Sequence, residues 1–425
     1  MRRLQALDRR LGPALCALVA PPRLARRAWA ALRRRVDGRR GVLRPARPAA
    51  RVLLIKFWGL GSLQLLTAAA RALRDRHPAA SLELLTLAPN RELARALGLV
   101  DEVHTLDVRG AGLARVLVRL LDVAWRMARR RYDVVYDFEF LTCTSALVGA
   151  LAFPRRLVGF TSPRAWRGGL HDETLVFDED RHVAACFRDL AAGEVLGPVL
   201  PGELTPPRLA AADVAAVGAF LRDRLPPGVR PLAVLNPNVG ELAPERRWPA
   251  PRFGALARAL VLDGFDVAVV GSAGEADICA EVLRAAGHEA LDGRLLDVSG
   301  GLSLGELCAL LARADLVVSN DSGPMHLAAA LGAPTLGLFG PETPKRYAPL
   351  GPRAVALADP PPCGPCINVH DNKLADCVFG RAECMLRLTV ERVHAVAREL
   401  ARRAAPREHT GASGWRAAAA AEREL

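Results

Sequence analysis

The sequence predicts an α/β protein whose parallel sheets are wound by helices on both faces. Two stretches indicate this fold, because in each a short apolar run of the kind buried in parallel sheets leads through a glycine-containing turn into a helix. The first stretch covers residues 51–74 and the second covers residues 314–332. The chain has 425 residues, of which 51% are hydrophobic and 24% are charged, so it is long enough for two globular domains.

The first stretch combines apolar residues 51–56, a turn at 58–62 and helical spacing over 63–74, which is typical of the start of a doubly wound domain. Ligands bind outside the carboxyl ends of such strands. Gly59 and Gly61 suggest a dinucleotide site, but Gln64 stands where a third glycine is required. The next strand, at 81–87, also ends without an acidic residue to hold a ribose. We therefore do not expect a nicotinamide cofactor.

The second stretch contains the turn that we expect to bind a phosphate, called here the 320–326 turn. Ser322 is a good helix N-cap, Gly323 lets a ligand approach the backbone, and Pro324 suits the first helical position. The free N–H groups and the positive end of the helix dipole at such a helix start favour an anion. Asp321 lies at the rim of the turn and His326 in the first helical turn. The alternative is an ordinary α/β turn with a good cap.

A longer motif continues from this turn. Residues 320–332 read NDSGPMHLAAALG and residues 334–341 read PTLGLFGP. This sequence resembles the signature of glycosyltransferase family 9, the lipopolysaccharide heptosyltransferase group, and the similarity runs from about residue 51 to about residue 398. The resemblance implies two Rossmann-like domains that face an active-site cleft, which is the glycosyltransferase B fold, and a nucleotide-diphosphate sugar as donor.

The resemblance also implies a set of donor-binding residues. Arg246, shortly before a Trp-Pro pair, occupies the place of the basic residue that holds the donor phosphates, and a guanidinium can bind a diphosphate with two hydrogen bonds. The backbone N–H groups of Ser322 and Gly323 would share this anion. Glu275 matches the acidic residue for the nucleotide ribose. The alternatives are Arg247 as phosphate ligand, an exposed loop arginine, and a Glu275 that only begins a helix.

The sequence departs from the family at the expected general base. Where the family has Gly-Asp, this chain has Gly61-Ser62, and a serine without an adjacent base cannot deprotonate a sugar hydroxyl near pH 7. The strand at 133–139 ends in Asp137 and Glu139, which point in one direction by alternation. We hypothesise that one of them supplies the base. They could equally cap or orient the following helix, which starts near residue 142.

Charge is concentrated at the amino terminus. Residues 1–50 contain fourteen arginines and two aspartates, so +12 of the net charge of +13 lies there. Leucines and Trp29 between the arginines predict a tail that lies on an anionic membrane surface, with a solvated extension and a nucleic-acid arm as alternatives. The rest of the chain has no basic stripe interleaved with aromatic residues, so we expect no nucleic-acid partner. No apolar run approaches the roughly 18 residues of a membrane span, and we expect no export.

Four of the nine cysteines cluster near the end of the chain, and an odd total argues against a disulfide framework. Two residues separate Cys363 from Cys366, and Cys377 and Cys384 follow. This pattern predicts a structural zinc ion, with a disulfide, free buried thiols or an iron–sulfur cluster as alternatives.

Proline-rich stretches at 201–207 and 226–231 mark the domain boundary. The predicted units are a basic tail (1–50), an acceptor domain (51–225), a donor domain (226–405) that includes the cysteine-rich segment 363–384, and a flexible tail (406–425). The resemblance implies an inverting transferase that moves a sugar, most simply heptose from ADP-heptose, to an envelope glycolipid without a catalytic metal. Asp321 would orient the sugar or help to organise the 320–326 turn. We expect a cytoplasmic protein at the inner face of the cell membrane. The alternative is a nucleotide-sugar or glycan binding protein that has lost turnover, because Ser62 replaces the base.

Overall fold

The computed structural model describes residues 8, 10–21, 23–25, 49–109, 112–140, 142–162, 166–240, 243–367 and 377–403. These residues form two six-stranded sheets in which all paired strands are parallel. The strand orders are β3-β2-β1-β4-β5-β6 and β12-β11-β10-β7-β8-β9. The two sheets therefore share one topology, with β1 equivalent to β7 and β4 equivalent to β10. The predicted α/β class with two Rossmann-like units is confirmed.

The strands of the first sheet are β1 (Arg51–Ile55), β2 (Ser81–Leu87), β3 (Glu102–Leu106), β4 (Val134–Asp137), β5 (Arg156–Thr161) and β6 (Glu173–Val176). Those of the second are β7 (Leu232–Asn236), β8 (Asp266–Val269), β9 (Leu295–Asp297), β10 (Leu316–Asn320), β11 (Thr335–Phe339) and β12 (Ala354–Ala358). The central strands β4, β7 and β10 are buried along their whole length. Helices on both faces cover them, which explains their continuous apolar sequences.

The helices of the first half are α1 (10–21), α2 (Leu60–Leu65), α3 (Thr67–Arg76), α4 (Arg91–Leu97), α5 (Leu113–Arg130), α6 (Cys143–Leu151), α7 (Val183–Ala192) and α8 (Ala211–Arg224). Those of the second half are α9 (Ala250–Leu262), α10 (Ala276–Ala286), α11 (Leu304–Arg313), α12 (Gly323–Ala330), α13 (Pro344–Tyr347), α14 (Glu383–Leu386) and α15 (Val390–Arg403). The single helix predicted over 63–74 is in fact two consecutive helices, α2 and α3, that meet at Leu66.

The amino-terminal segment differs from the predicted tail, because part of it is folded onto the first half. The Asp8 carboxylate accepts hydrogen bonds from the backbone N–H groups of Cys143 (3.0 Å) and Thr144 (2.7 Å), and so caps the start of α6. Arg23, just after α1, is buried and donates to Asp172 across 2.6 Å. Residues 1–7, 9, 22, 26–48 and 404–425 lie outside the described residues.

The two halves pack against each other over a wide area. One hydrophobic cluster includes β1 and β4 of the first sheet together with β7 and β10 of the second. The α8 helix, which precedes the predicted boundary, packs on α11 of the second half. His182 at the start of α7 donates from Nε2 to the backbone oxygen of Ala348 across 3.0 Å. Among the described helices, none has the length and apolar character needed to cross a membrane.

Candidate active site

A cleft of about 580 Å³ lies between the two halves. Its walls come from the carboxyl ends of strands in both sheets, where ligands bind in doubly wound folds. The first half contributes the 58–62 turn and the end of β4, and the second half contributes the ends of β7 and β8 and the 320–326 turn. The two stretches singled out in the sequence therefore face one space.

The 320–326 turn joins β10 to α12, as predicted, but its cap works differently. Ser322 is the N-cap residue, yet its side chain makes no capping hydrogen bond. Its Oγ instead accepts from Nδ2 of Asn236 at 2.7 Å, which ties the turn to the end of β7. Gly323, rather than Pro324, is the first helical residue. Ser322, Gly323 and Pro324 line the cleft, so the start of α12 is available to an anion there.

Gly323 lies close against the other half of the protein. A Cβ at this position would lie 3.1 Å from Cβ of Leu60 at the start of α2. Gly61 on α2 is constrained in return, because a Cβ there would lie 2.5 Å from Cδ2 of His326. His326 is buried and lines the cleft. The two helix starts therefore touch across the cleft, and each glycine permits the approach.

Neutral amides hold the second half of the cleft together. Asn320 at the end of β10 donates from Nδ2 to the backbone oxygen of Pro237 (2.8 Å) and accepts on Oδ1 from the N–H of Trp248 (3.0 Å). Asn238 lines the cleft, and its buried Oδ1 has no hydrogen-bond partner among the described residues. A buried acceptor without a partner is costly, which favours a ligand donor at this point.

Arg246 and Asp321, both predicted site residues, are paired at the rim of the 320–326 turn. Nη1 of Arg246 donates to Oδ2 and to the backbone oxygen of Asp321, each at 3.0 Å, and Nη2 donates to the backbone oxygen of Val239 at 3.1 Å. The buried Nε of Arg246 has no partner within the described parts of the chain. Arg246 lines the cleft, whereas Arg247 is not part of its wall. The guanidinium is thus held in place by Nη1 and Nη2, while its Nε–H donor remains unused.

Glu275 also lines the cleft, at the far end of β8. Its Oε2 accepts from the N–H of Ser272 (2.9 Å) and from its hydroxyl (2.7 Å), which makes a capping box at the start of a short 3₁₀ turn. Glu275 thus begins a helical turn, as one interpretation expected, and it also lines the cleft, as the other required. Its predicted contact with a ribose stays a prediction.

The buried ion pair between Lys56 and Glu139 holds the start of the 58–62 turn. Oε1 of Glu139 accepts hydrogen bonds from Nζ of Lys56 (2.7 Å), the N–H of Phe57 (2.6 Å) and the N–H of Trp58 (3.0 Å). Lys56 also donates to the backbone oxygen of Trp58 at 3.0 Å. Glu139 and Lys56 both line the cleft although both are buried. Glu139 therefore orients the turn and meets the ligand space.

Asp137 has a different environment from Glu139, although the two were predicted to serve as alternatives. It is fully buried and is absent from the cleft wall. Its Oδ2 accepts from Arg167 (2.7 Å) and lies 3.1 Å from Nε2 of His171. Burial alone would raise the pKa of Asp137, but the charge of Arg167 and the contact with His171 outweigh it and leave the pKa below its ordinary value. Burial and Arg167 lower the pKa of His171.

The structure overturns one part of the alternative assigned to these carboxylates, namely that they cap the following helix. Neither Asp137 nor Glu139 caps α6, because Asp8 does so. The hypothesis about the base narrows to Glu139, since a carboxylate enclosed by protein groups cannot reach an acceptor. Ser62 lines the cleft beside Gly61, where the family aspartate is expected.

The four clustered cysteines all line one small cavity of about 80 Å³. Tetrahedral zinc with Zn–S bonds of about 2.3 Å needs sulfur atoms about 3.8 Å apart. In the described part of the chain, no three of these sulfur atoms lie within 4.8 Å of one another. They therefore do not form an assembled tetrahedral site here, and the structural zinc ion stays a prediction.

One other cluster brings metal-ligand side chains together, namely Glu83, Glu102 and His104 at the edge of the first sheet. Arg130 donates to both carboxylates, and Tyr132 donates to Oε2 of Glu83 at 2.6 Å. Burial would raise the pKa of Glu83, but His104, Tyr132 and Arg130 together lower it to about 2. The cation is thus already supplied by arginine, and the cluster is a structural network.

The residues of the cleft wall that sequence reasoning missed include Lys56, Asn236, Asn238 and Tyr347. The first three end a buried apolar strand or follow it closely, and a polar residue at that place is a usable signal. Tyr347 carried no such signal, because α13 brings it to the cleft from a distant part of the chain. Burial raises its pKa well above the ordinary value.

Comparison with known proteins identifies the family of the chain. The pattern of glycosyltransferase family 9 (heptosyltransferase) matches residues 122–374, which is more than half of the chain. Lipopolysaccharide heptosyltransferase 2 of Salmonella typhimurium is 26% identical over 353 residues, which cover 81% of this chain and 96% of that protein. Lipooligosaccharide heptosyltransferase 2 of Haemophilus influenzae is 36% identical over 130 residues, which cover 31% of this chain and 37% of that protein.

Solved structures share the fold. The E. coli ADP-heptose lps heptosyltransferase II superposes with a TM-score of 0.65 at 23% identity, covering 83% of this chain and 99% of that one. The E. coli heptosyltransferase WaaC with ADP superposes with a TM-score of 0.59 at 20% identity, covering 82% of this chain and 99% of that one.

Proposed function

Because the chain belongs to glycosyltransferase family 9 (heptosyltransferase), we propose that it transfers heptose from ADP-heptose to the core of a lipopolysaccharide and inverts the anomeric carbon. The observation that supports this most is that the two walls of the cleft carry different chemical groups. The second half offers a helix start and a guanidinium for a diphosphate, and the first half offers a carboxylate beside the 58–62 turn. The names of the relatives specify the sugar and the acceptor.

In the proposed reaction, an acceptor hydroxyl attacks the anomeric carbon while the bond between that carbon and the diphosphate oxygen breaks. The hydroxyl proton passes to Glu139, which stands in the place of the family base lost at Ser62. Arg246 and the N–H groups of the 320–326 turn stabilise the negative charge that ADP gains. Glu275 binds the ribose and Asp321 holds Arg246 in position. The phosphate charge is met by protein groups, so no divalent metal is required.

Lys56 has a supporting part in this scheme. Its ammonium lies 2.7 Å from Oε1 of Glu139. Together with the N–H groups of Phe57 and Trp58, it fixes the position of this carboxylate beside the cleft.

The experiment that tests this function is release of ADP by the purified protein. ADP-heptose would be offered with and without deacylated core acceptor, in buffer that contains a chelator. Release that requires the acceptor supports the transferase. Release that also requires an added divalent ion would contradict the metal-free scheme.

A second candidate is a protein that binds nucleotide sugar or glycan without turnover. Two observations favour it, namely Ser62 at the base position and three hydrogen-bond donors already on Oε1 of Glu139. Calorimetry with ADP-heptose separates the candidates, because binding without ADP release across several acceptors would favour the second.

Localisation at the inner face of the membrane belongs to the same proposal, since lipopolysaccharide acceptors are lipid-linked. The basic amino-terminal segment would be attracted to anionic lipids. Most of its arginines lie outside the described residues. The structural zinc ion is also kept as a proposal, and metal analysis of the purified protein, with about one zinc per chain expected, tests it.

A further inference from the structure

The α5 helix has an apolar surface wider than the part that packs on the protein. Its buried side chains include Val116, Val123 and Met127. A second apolar stripe is exposed to solvent, and its members are Leu117 (55%), Val118 (65%), Leu121 (54%) and Trp125 (58%). Leu117, Leu121 and Trp125 are four residues apart, so they form one continuous row along the helix. An ordinary surface helix would carry polar residues there.

The α1 helix repeats this arrangement. Gly12, Cys16 and Ala20 face the protein and are buried. Leu11, Leu15 and Leu18 lie on the opposite side and are exposed, Leu18 by 76%. The spacing of four and three residues places these leucines in one row. Large apolar side chains on the outer sides of two helices are unusual for a protein surface.

The two helices belong to one layer of the molecule. Cys16 and Ala20 of α1 and Val123 and Met127 of α5 pack into the same hydrophobic cluster, over the same face of the first sheet. The α6 helix contributes to the same cluster, but most of its residues are buried. The exposed surface of the layer is therefore formed in large part by α1 and α5.

This layer borders the cleft. A small cavity beside α5 is lined by Asp8 near the start of α1, by Val116 and by Trp58 and Thr142. Trp58 and Thr142 also line the cleft. A molecule that approached over the α1 and α5 surface would thus reach the first-half wall of the cleft.

Positive charge accompanies the apolar row. Arg115 and Arg129 are exposed on α5, and the guanidinium of Arg129 lies 4.6 Å from the ring centroid of Trp125. Arg126 is also exposed, but its Nε lies 3.0 Å from Oδ2 of Asp122, so its charge is balanced within the helix. Fourteen arginines lie in residues 1–50, of which α1 is part. Apolar side chains flanked by arginines complement a bilayer that bears anionic headgroups.

We propose that the exposed rows of α1 and α5 form a membrane-docking surface, which inserts Leu11, Leu15, Leu18, Leu121 and Trp125 into the interface of an anionic bilayer. The folded protein, and not only its amino-terminal arginines, then makes the lipid contact. The surface places the acceptor side of the cleft next to the membrane. The proposal depends on the proposed function only for the idea that the acceptor is lipid-linked.

The test is co-flotation of the full-length protein with vesicles of phosphatidylcholine alone and of phosphatidylcholine with phosphatidylglycerol. Leu121→Glu and Trp125→Glu, separately and together, are compared with the unmodified chain. The matched control is Leu262→Glu, an equally apolar side chain that is 74% exposed on α9 in the second half. We expect binding to the anionic vesicles only, a fall of at least about tenfold in the double variant, and no change in the control.

Each variant is also assayed with a deacylated acceptor, which needs no membrane. Unchanged ADP release in a variant that no longer binds vesicles supports the docking surface and shows an intact fold. Vesicle binding that persists in the double variant would overturn the proposal, because the arginines alone would then suffice. A dimer that these substitutions dissociate, without vesicle binding, would assign the surface to a second copy of the chain. Vesicle binding without any ADP release would leave the surface standing and reject the proposed function.

Discussion

The two halves have the same strand order but hold the edges of the cleft by different means. At the end of β4, the first half uses charge, with Glu139 bonded to Lys56 and Asp137 bonded to Arg167. At the equivalent end of β10, the second half uses the neutral amide of Asn320. In both cases the residue ties its strand to the turn after the neighbouring central strand, β1 or β7.

This difference suggests that the two halves, which share one strand order, have different functions in the cleft. In the second half the amide of Asn320 adds no charge, and the carboxylate of Asp321 is paired with Arg246, so the start of α12 and the guanidinium remain to meet an anionic diphosphate. In the first half the carboxylate of Glu139 itself lines the cleft, paired with Lys56. We therefore expect substitutions in the first half to alter turnover, and those in the second half to alter donor affinity.

The largest effect is expected from Glu139→Gln. Loss of a general base lowers turnover by about 100-fold or more. Donor affinity should stay nearly constant, because Glu139 is not on the diphosphate side. The measurement is the rate of acceptor-dependent ADP release, with calorimetry of ADP-heptose on the same protein.

A rescue variant makes this test sharper. If Glu139 has replaced the family aspartate, Ser62→Asp should restore part of the turnover of Glu139→Gln. Thermal unfolding controls for the loss of the buried contact with Lys56. Equal turnover in Glu139→Gln and the unmodified chain would remove Glu139 from the mechanism and end the proposed division.

Arg246→Ala should weaken the binding of ADP by about 10- to 100-fold, as expected for one charged hydrogen-bonding group. Arg247→Ala is the matched control, since its side chain is not in the cleft wall. Calorimetry with ADP alone avoids any effect of the acceptor. A loss of affinity in Arg247→Ala as large as that in Arg246→Ala would show that the wrong arginine has been chosen.

Gly61→Ala tests the contact where the halves meet. The added Cβ would lie 2.5 Å from Cδ2 of His326, and overpacking of this kind costs about 1–3 kcal/mol. We expect a lower melting temperature and weaker donor binding, since the start of α12 must shift. The second substitution His326→Ala should relieve the strain in the double variant. If it does not, the contact between α2 and α12 is looser than described.

The smallest effect is a difference in acid sensitivity. The lowered pKa values of Asp137 and Glu83 mean that these groups stabilise the fold above their ordinary pKa, and that the contribution is lost as pH falls through their folded pKa, which is about 2 for Glu83. The lowered pKa of His171 means that stability is also lost as pH falls below about 6.5. Hydrogen exchange at pH 4 should therefore show loss of protection in the first sheet before the second. Loss in the second sheet first would contradict the comparison.

Much of this architecture was readable from short segments. The apolar runs that became β1 and β10 and the glycine turns after them identified both halves, because the burial of a parallel strand imposes its composition locally. Arg246, Glu275 and the 320–326 turn all line the cleft as expected. Asp137 does not, since its enclosure depends on Arg167 and His171, which lie 30 and 34 residues further along the chain.

The fold class, the two strand-to-helix turns and the family could be predicted because each depends on residues that are close together in the chain. Three features became visible only in the folded molecule: which carboxylate meets the cleft, the close approach of the two halves at Gly61 and Gly323, and the folding of α1 onto the first half. These features depend on contacts between residues far apart in sequence. Side-chain type alone does not specify such contacts, because Asp137 and Glu139 are both carboxylates at the end of one strand, yet only Glu139 lines the cleft.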